Sequence, residues 1–315
     1  MSPTRKKENL KGIIVSVPTA VNRKYELDLN KMKEQVAWLV DQGIRTGKGV
    51  IMLAGGSGEG YFIPFEDHKK IMGALVDAAN GKVPTMTGIF EVSTDEAVRK
   101  AKYASDVGID YIQYNPPHYE KPIDDEVFTH YEMVSDAAEV GIVAYNSPWS
   151  TMGYEITARL IERLLGLEHV WGFKWFSYEP GSYVQCLERF SDKASFLVNT
   201  GPFSQYRALA YLLGARGFVS DMANFNPKGE LLLLDLLERK EYSKYMQEDR
   251  RLRSFEREIA AAADINKGGL GEGTMSKGKL AAAGKDFGPP YRPQTEMSSA
   301  DIEKMRRIMK KSGVI

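Results

Sequence analysis

Eight short apolar runs, separated by stretches with helical periodicity, constrain the fold of this chain more than any other feature. The runs occupy residues 12–18, 49–54, 83–90, 111–115, 141–146, 170–175, 194–199 and 217–222, and are rich in Val, Ile, Phe or Tyr. Each is short enough to be a strand buried on both faces, as in a parallel sheet covered by helices. The stretches between them are amphipathic: residues 29–40, for example, carry Met32, Val36 and Leu39 near a 3.6-residue period. Gly43, Gly108, Gly141 and Gly214 stand where helices should end, as C-terminal caps.

An open doubly wound sheet can also hold eight strands, but a recurring unit of about 28 residues fits a closed (β/α)8 barrel more simply. The expected fold is therefore an α/β TIM barrel over residues 1–239 with a small helical C-terminal extension over 240–315. Helical patterns continue at 240–264, 274–283 and 299–311. The Gly-rich residues 267–273 read as a loop, and Pro289, Pro290 and Pro293 as a second break.

Charge and composition exclude several classes of function. The 315 residues carry 42 Lys+Arg against 42 Asp+Glu, so no uncompensated basic face is expected for a nucleic acid. One basic run, Arg5-Lys6-Lys7, reads as a solvated tail. The single cysteine, Cys186, excludes an internal disulfide and a Cys-rich metal site. No apolar run approaches the roughly 18 residues of a membrane span; the longest, 231–237, is broken by Asp235. No apolar signal segment follows the N-terminal charges, so a cytoplasmic protein is expected.

Two motifs mislead. Residues 273–280, Gly-Thr-Met-Ser-Lys-Gly-Lys-Leu, nearly spell a phosphate loop, but Leu280 replaces the metal-binding hydroxyl and no strand precedes them. They read as the loop that starts a helix. The four histidines, His68, His118, His130 and His169, lack metal-ligand spacing, so no metal is expected.

In such a barrel the chemistry sits at the C-terminal ends of the strands. Run 2 ends in Gly55-Gly56-Ser57-Gly58-Glu59, a turn whose backbone N–H groups and hydroxyl suit a carboxylate. Run 4 leads into Pro116-Pro117-His118-Tyr119-Glu120-Lys121-Pro122, and run 5 ends in Tyr145-Asn146-Ser147-Pro148. Run 6 carries Lys174 within Gly172-Phe173-Lys174-Trp175. A lysine inside an apolar strand is the outlier, because desolvation favours the neutral amine, the form that attacks a ketone. Taken singly, Lys174 could be a buried lysine paired with a carboxylate, Tyr145 and Tyr119 core tyrosines, and Ser57 a turn residue. Their joint placement at four strand ends favours chemistry.

The four motifs, in this order, resemble those of the dihydrodipicolinate synthase / N-acetylneuraminate lyase family of Schiff-base aldolases. Gly55-Gly56-Ser57-Gly58-Glu59 is similar to its G-[ST]-[ST]-G-E turn, Tyr145-Asn146-Ser147-Pro148 to its Y-N-x-P, Gly172-Phe173-Lys174 to its G-x-K, and 117–122 to its P-Y-Y-x-[KR]-P segment. The resemblance covers residues 12 to about 222, and the helical tail suits it. It implies that Lys174 forms an imine with pyruvate or another 2-keto acid, an electron sink that calls for no cofactor. Gly56 and Ser57 would then hold the carboxylate, and Tyr145 would act as general acid–base. Tyr119 would complete the relay from a neighbouring subunit of a homotetramer, a dimer of dimers. Val219, Phe176, Gly201 and Phe203 would line the substrate pocket.

Three departures bear on the substrate. Gly56 stands where the family has a hydroxyl residue linking the two tyrosines. Ser150 stands where the synthases carry the arginine that binds the aldehyde's carboxylate. Phe176 and Pro202-Phe203 stand where sialic acid lyases carry a hydroxyl and an acidic pair. Strand alternation turns Phe176 to the side of Lys174 and Trp175 to the outer helices. A pocket lined by Phe176, Phe203 and Trp149 points to an aldehyde less polar than a sialic acid acceptor, although these rings could equally pack only the loop. Three other uses of the site are dehydration or aldol cleavage of a 2-keto-3-deoxy sugar acid through the same imine, a dihydrodipicolinate synthase-like activity, which Ser150 disfavours, and non-catalytic binding of a 2-keto acid.

Overall fold

The computed structural model describes residues 7–199, 206–262 and 271–315. Its centre is a closed barrel of eight strands in sequence order, β1 (Gly12–Ser16), β2 (Gly49–Leu53), β3 (Thr85–Ile89), β4 (Tyr111–Tyr114), β5 (Gly141–Asn146), β6 (Val170–Trp175), β7 (Ser195–Val198) and β8 (Gly217–Ser220). Every neighbouring pair is parallel, β8 closing on β1. The (β/α)8 architecture expected from the alternation is the one observed.

Strand alternation divides the core in two. Ile14, Val50, Met86, Val143 and Leu197 point inward and fill the barrel, while Ile13, Val15, Ile51, Leu53 and Phe173 point outward against the helices. Seven helices follow the first seven strands: α1 (Leu29–Asp41), α2 (Phe65–Ala79), α3 (Thr94–Val107), α4 (Asp124–Ala137), α5 (Ala158–Leu164), α6 (Pro180–Phe190) and α7 (Tyr206–Leu212). Their ends are set locally: Asp28, Ser93 and Thr157 accept hydrogen bonds from the amides of Lys31, Glu96 and Leu160, which satisfies donors left open by the first helical turn. Gly108 caps α3 at φ 92°, and Gly43 and Gly214 also take positive φ. Gly141 does not cap a helix. It opens β5, and a Cβ there would overlap the Trp171 ring, so close packing rather than a left-handed cap calls for glycine.

Beyond β8 lie α8 (Pro227–Glu238), α9 (Tyr242–Leu252), α10 (Ser254–Ala261), α11 (Glu272–Ala282) and α12 (Ser299–Lys311). The pattern at 240–264 is two helices rather than one. They meet at Arg253, whose buried guanidinium pairs with Glu230, Asp249 and Glu256. The near-phosphate-loop sequence forms α11, and this helix starts at Glu272, two residues before the expected pattern. It bridges the C-terminal end of the barrel: Lys279 Nζ lies 2.9 Å from Asp221 Oδ2 just after β8, and Lys277 Nζ lies 2.7 Å from Glu59 Oε2 just after β2. Among the described residues no helix is long and apolar enough to cross a membrane.

Candidate active site

Lys174 sits in the barrel, 6% exposed, because it alternates with the outward-facing Phe173 and Trp175 on β6. Its Nζ donates to Gln113 Oε1 of β4 at 2.9 Å and lies 3.9 Å from the centre of the Tyr145 ring. Lys174 and Tyr145 are direct register partners on β6 and β5. Burial pulls the ammonium down to a pKa of about 8, against the opposing charge of Glu272. Tyr145 is equally buried, and its hydroxyl accepts from Asn199 Nδ2 at 2.9 Å. Burial, reinforced by the Glu272 charge, raises the phenol well above its ordinary range. A neutral phenol and a readily neutralised amine thus meet in one buried site.

The turn after β2 is folded tightly onto itself. Glu59 and Gly60 donate to Gly56 O (2.9 Å) and Gly55 O (3.0 Å), and Thr19 Oγ1 donates to Gly58 O at 2.6 Å. The amides of Gly56 and Ser57 have no acceptor among the described residues, which leaves them to an anion. Ser57 is half-buried at the mouth.

A wall of rings runs outward from Tyr145. Trp149 meets Tyr145 with centroids 5.8 Å apart, Phe176 meets Trp149 at 4.9 Å, and Tyr178 meets Phe176 at 5.1 Å, all edge to face. Asn146 Nδ2 holds Phe176 O at 2.6 Å. Ser150, the residue in place of an arginine, is absorbed in a polar cluster with Ser147 (2.7 Å) and Asn115 (3.4 Å).

The other expected site residues fall into three groups. Val219 lies on β8 beside the barrel-filling cluster. Tyr119, in the loop after β4, is 80% exposed and shares no hydrogen bond or ring contact with Tyr145 among the described residues. Gly201 and Phe203 lie outside the described residues.

Sequence reasoning missed three participants. Gln113 was legible by the same signal as Lys174, a polar residue within an apolar strand. Asn199 ends the seventh run and reveals its role only through its hydrogen bond to Tyr145. Glu272 had no local signal at all.

A family model described as "Dihydrodipicolinate synthetase family" matches residues 9–264. The 4-hydroxy-tetrahydrodipicolinate synthase of Trichlorobacter lovleyi is 27% identical over 305 residues, 97% of this chain and 99% of that protein. Among solved structures, a chloride-inhibited dihydrodipicolinate synthase from Acinetobacter baumannii complexed with pyruvate superposes with a TM-score of 0.85 at 22% identity. That match covers 97% of this chain and all of the other. An N-acetylneuraminate lyase from Mycoplasma synoviae gives 0.81 at 21%, covering 97% and 98%. The structural likenesses share the barrel and its helical tail.

Proposed function

The chain belongs to the dihydrodipicolinate synthetase family and is a lyase-type enzyme, and from that premise we propose that it makes or breaks a carbon–carbon bond through an imine on Lys174. The observation that carries this reading is the buried Lys174 amine, with its pKa near 8, against the Tyr145 ring. At pH 7 about a tenth of it is neutral, against on the order of three in ten thousand for a lysine at 10.5. Gln113 Oε1 accepts one N–H and fixes the amine.

The amine nitrogen adds to C2 of a 2-keto acid while the ketone oxygen takes a proton. Loss of that oxygen as water leaves the iminium. The Gly56 and Ser57 amides and the Ser57 hydroxyl hold the acid's carboxylate, and Val219 lines the pocket beside it. The iminium draws electrons from the C3–C4 bond. In cleavage, Tyr145 takes the proton of the C4 hydroxyl as the bond breaks to an aldehyde and an enamine; in synthesis it returns that proton to the aldehyde oxygen. Such general acid–base assistance is worth roughly 10²–10⁴-fold. Tyr119 serves the site of a neighbouring subunit in a homotetramer, a reading supported by its 80% exposure.

The wall formed by Trp149, Phe176 and Tyr178 supports an apolar or aromatic aldehyde, because a polyol against it would leave hydroxyls unpaired at roughly 1–3 kcal/mol each. Borohydride reduction with pyruvate, followed by peptide mapping, tests the chemistry. A pyruvyl adduct on Lys174 is expected; folded protein without an adduct from pyruvate or larger 2-keto acids would overturn it.

A further inference from the structure

Glu272 opens α11 and lies over the turn after β2. A Cβ built on Gly56 would stand 2.6 Å from Glu272 Oε2, with the other nearest atoms also in that carboxyl group. The volume that any side chain at position 56 would fill is therefore held by a carboxylate from the far end of the chain. Glycine at 56 makes room for it.

Three further observations fix its bearing on the site. The side chain is exposed at the mouth of the barrel, and its charge is close enough to act on both Tyr145 and Lys174. Its position is imposed by neighbours: Gly273 packs so closely on Glu59 that a Cβ would overlap it, and Lys277, on the same helix, pairs with Glu59. Tyr145 Oη receives its hydrogen bond from Asn199, which leaves the phenol proton to be given elsewhere. A phenol whose anion is this strongly disfavoured cannot act as a base unless it loses one proton as it gains another.

We propose that Glu272 is the proton acceptor behind Tyr145, taking the phenol proton, directly or across one water, as Tyr145 takes a proton from the substrate. The proposal rests on the imine reading. With pyruvate bound as the iminium, a C3–H proton passes to Tyr145 Oη while the Tyr145 proton passes to the Glu272 carboxylate. The C–H electron pair forms the enamine C2–C3 double bond, and the C2=N pair returns to nitrogen. When the enamine attacks an aldehyde, Glu272 reprotonates Tyr145 as Tyr145 protonates the aldehyde oxygen. Protons and charge balance, and no phenolate forms.

The test uses pyruvate alone and two readouts on the full chain: borohydride trapping on Lys174, and exchange of the pyruvate methyl protons with D2O followed by proton NMR. Glu272→Gln should trap pyruvate like the wild type, which also shows the site folded, while exchange falls about a hundredfold. Glu272→Asp, which keeps the carboxylate, should recover at least a tenth of the wild-type exchange rate. Exchange by Glu272→Gln within threefold of wild type, or faster, would overturn the proposal, the faster case meaning that the carboxylate obstructs the site. Loss of trapping together with exchange in Glu272→Gln would also overturn it, since the group would then serve imine formation or shape. A wild type that neither traps nor exchanges would remove the imine reading, and this proposal with it.

Discussion

Glu59 and Lys277 form an ion pair at 2.7 Å with both side chains buried, and this pair fastens the C-terminal extension to the turn after β2. Glu59 Oε1 also accepts from the Tyr291 amide and Gln294 Nε2, each at 2.6 Å, and Lys277 Nζ donates to Pro289 O at 2.7 Å. Both charges are therefore hydrogen-bonded as well as paired. Removing one partner leaves the other charge buried alone, at about 3–5 kcal/mol. Lys277→Met should lower the unfolding free energy by that amount in urea titrations, and Glu59→Gln/Lys277→Met should recover more than half of the loss. A single variant within 1 kcal/mol of wild type would show that the pair does not hold the extension.

The Lys174 value near 8 comes mainly from burial and has a direct kinetic consequence. With this amine as the proposed nucleophile, imine formation at saturating pyruvate should rise about tenfold per pH unit below 8 and level off above it. Single-turnover trapping between pH 6 and 10 measures this. A midpoint near 10.5 would mean that the amine is solvated as in free lysine.

Trp149 and Phe176 should set aldehyde preference without touching the imine. Trp149→Ala and Phe176→Ala are expected to lower kcat/KM for an aromatic aldehyde roughly 3- to 10-fold, in line with the energy of one edge-to-face pair. Trapping of pyruvate should not change. If both variants instead handle aromatic and polyhydroxy aldehydes with the wild-type ratio, the rings merely pack the loop.

Tyr119 offers a test of shared sites. If it serves a neighbouring subunit, Tyr119→Phe and Lys174→Ala should each be weak or inactive alone, yet regain up to a quarter of the activity when unfolded and refolded together, since one mixed site keeps both groups. No regain on mixing, with mixed oligomers present, would place Tyr119 outside any shared site.

His68 and His130 are buried neutral and should dominate the acid limb of stability. Burial lowers His68 to about 3, aided by the Lys100 charge, and His130 to about 4. Both folded values lie below the ordinary 6.5, so the unfolded chain binds protons that the folded chain refuses. Stability should therefore fall as pH drops from about 6.5 towards 4, by about 1.4 kcal/mol per pH unit for each histidine. His68→Gln, which keeps a polar group beside Thr87 (2.7 Å in the native pair), should halve that slope in denaturant titrations at pH 4.5–6.5.

Most of the barrel was legible because its signals are local. A strand buried on both faces must be apolar over a handful of residues, and the helix that covers it must repeat near 3.6. Lys174 stood out for the same reason, a charge where the pattern demands none, and Gln113 on β4 breaks its own strand's pattern in the same way. Gly141 was misread because a glycine before a strand looks the same whether it caps a helix or clears a ring. The expected long helix of 240–264 hid a break at Arg253, where the guanidinium pairs with Glu230 on another helix.

The sequence alone therefore determined eight βα units, the lysine on the sixth strand, the tyrosine on the fifth and the glycine turn after the second. Only the tertiary structure decided that Glu272 fills the space above Gly56, that Gln113 accepts a hydrogen bond from Lys174, and that Asn199 holds the Tyr145 hydroxyl. Periodicity reports which face of an element is buried, because burial acts on each residue through its nearest neighbours along the chain. It cannot report which residues from distant elements meet, because barrel closure and the docking of α11 set those contacts.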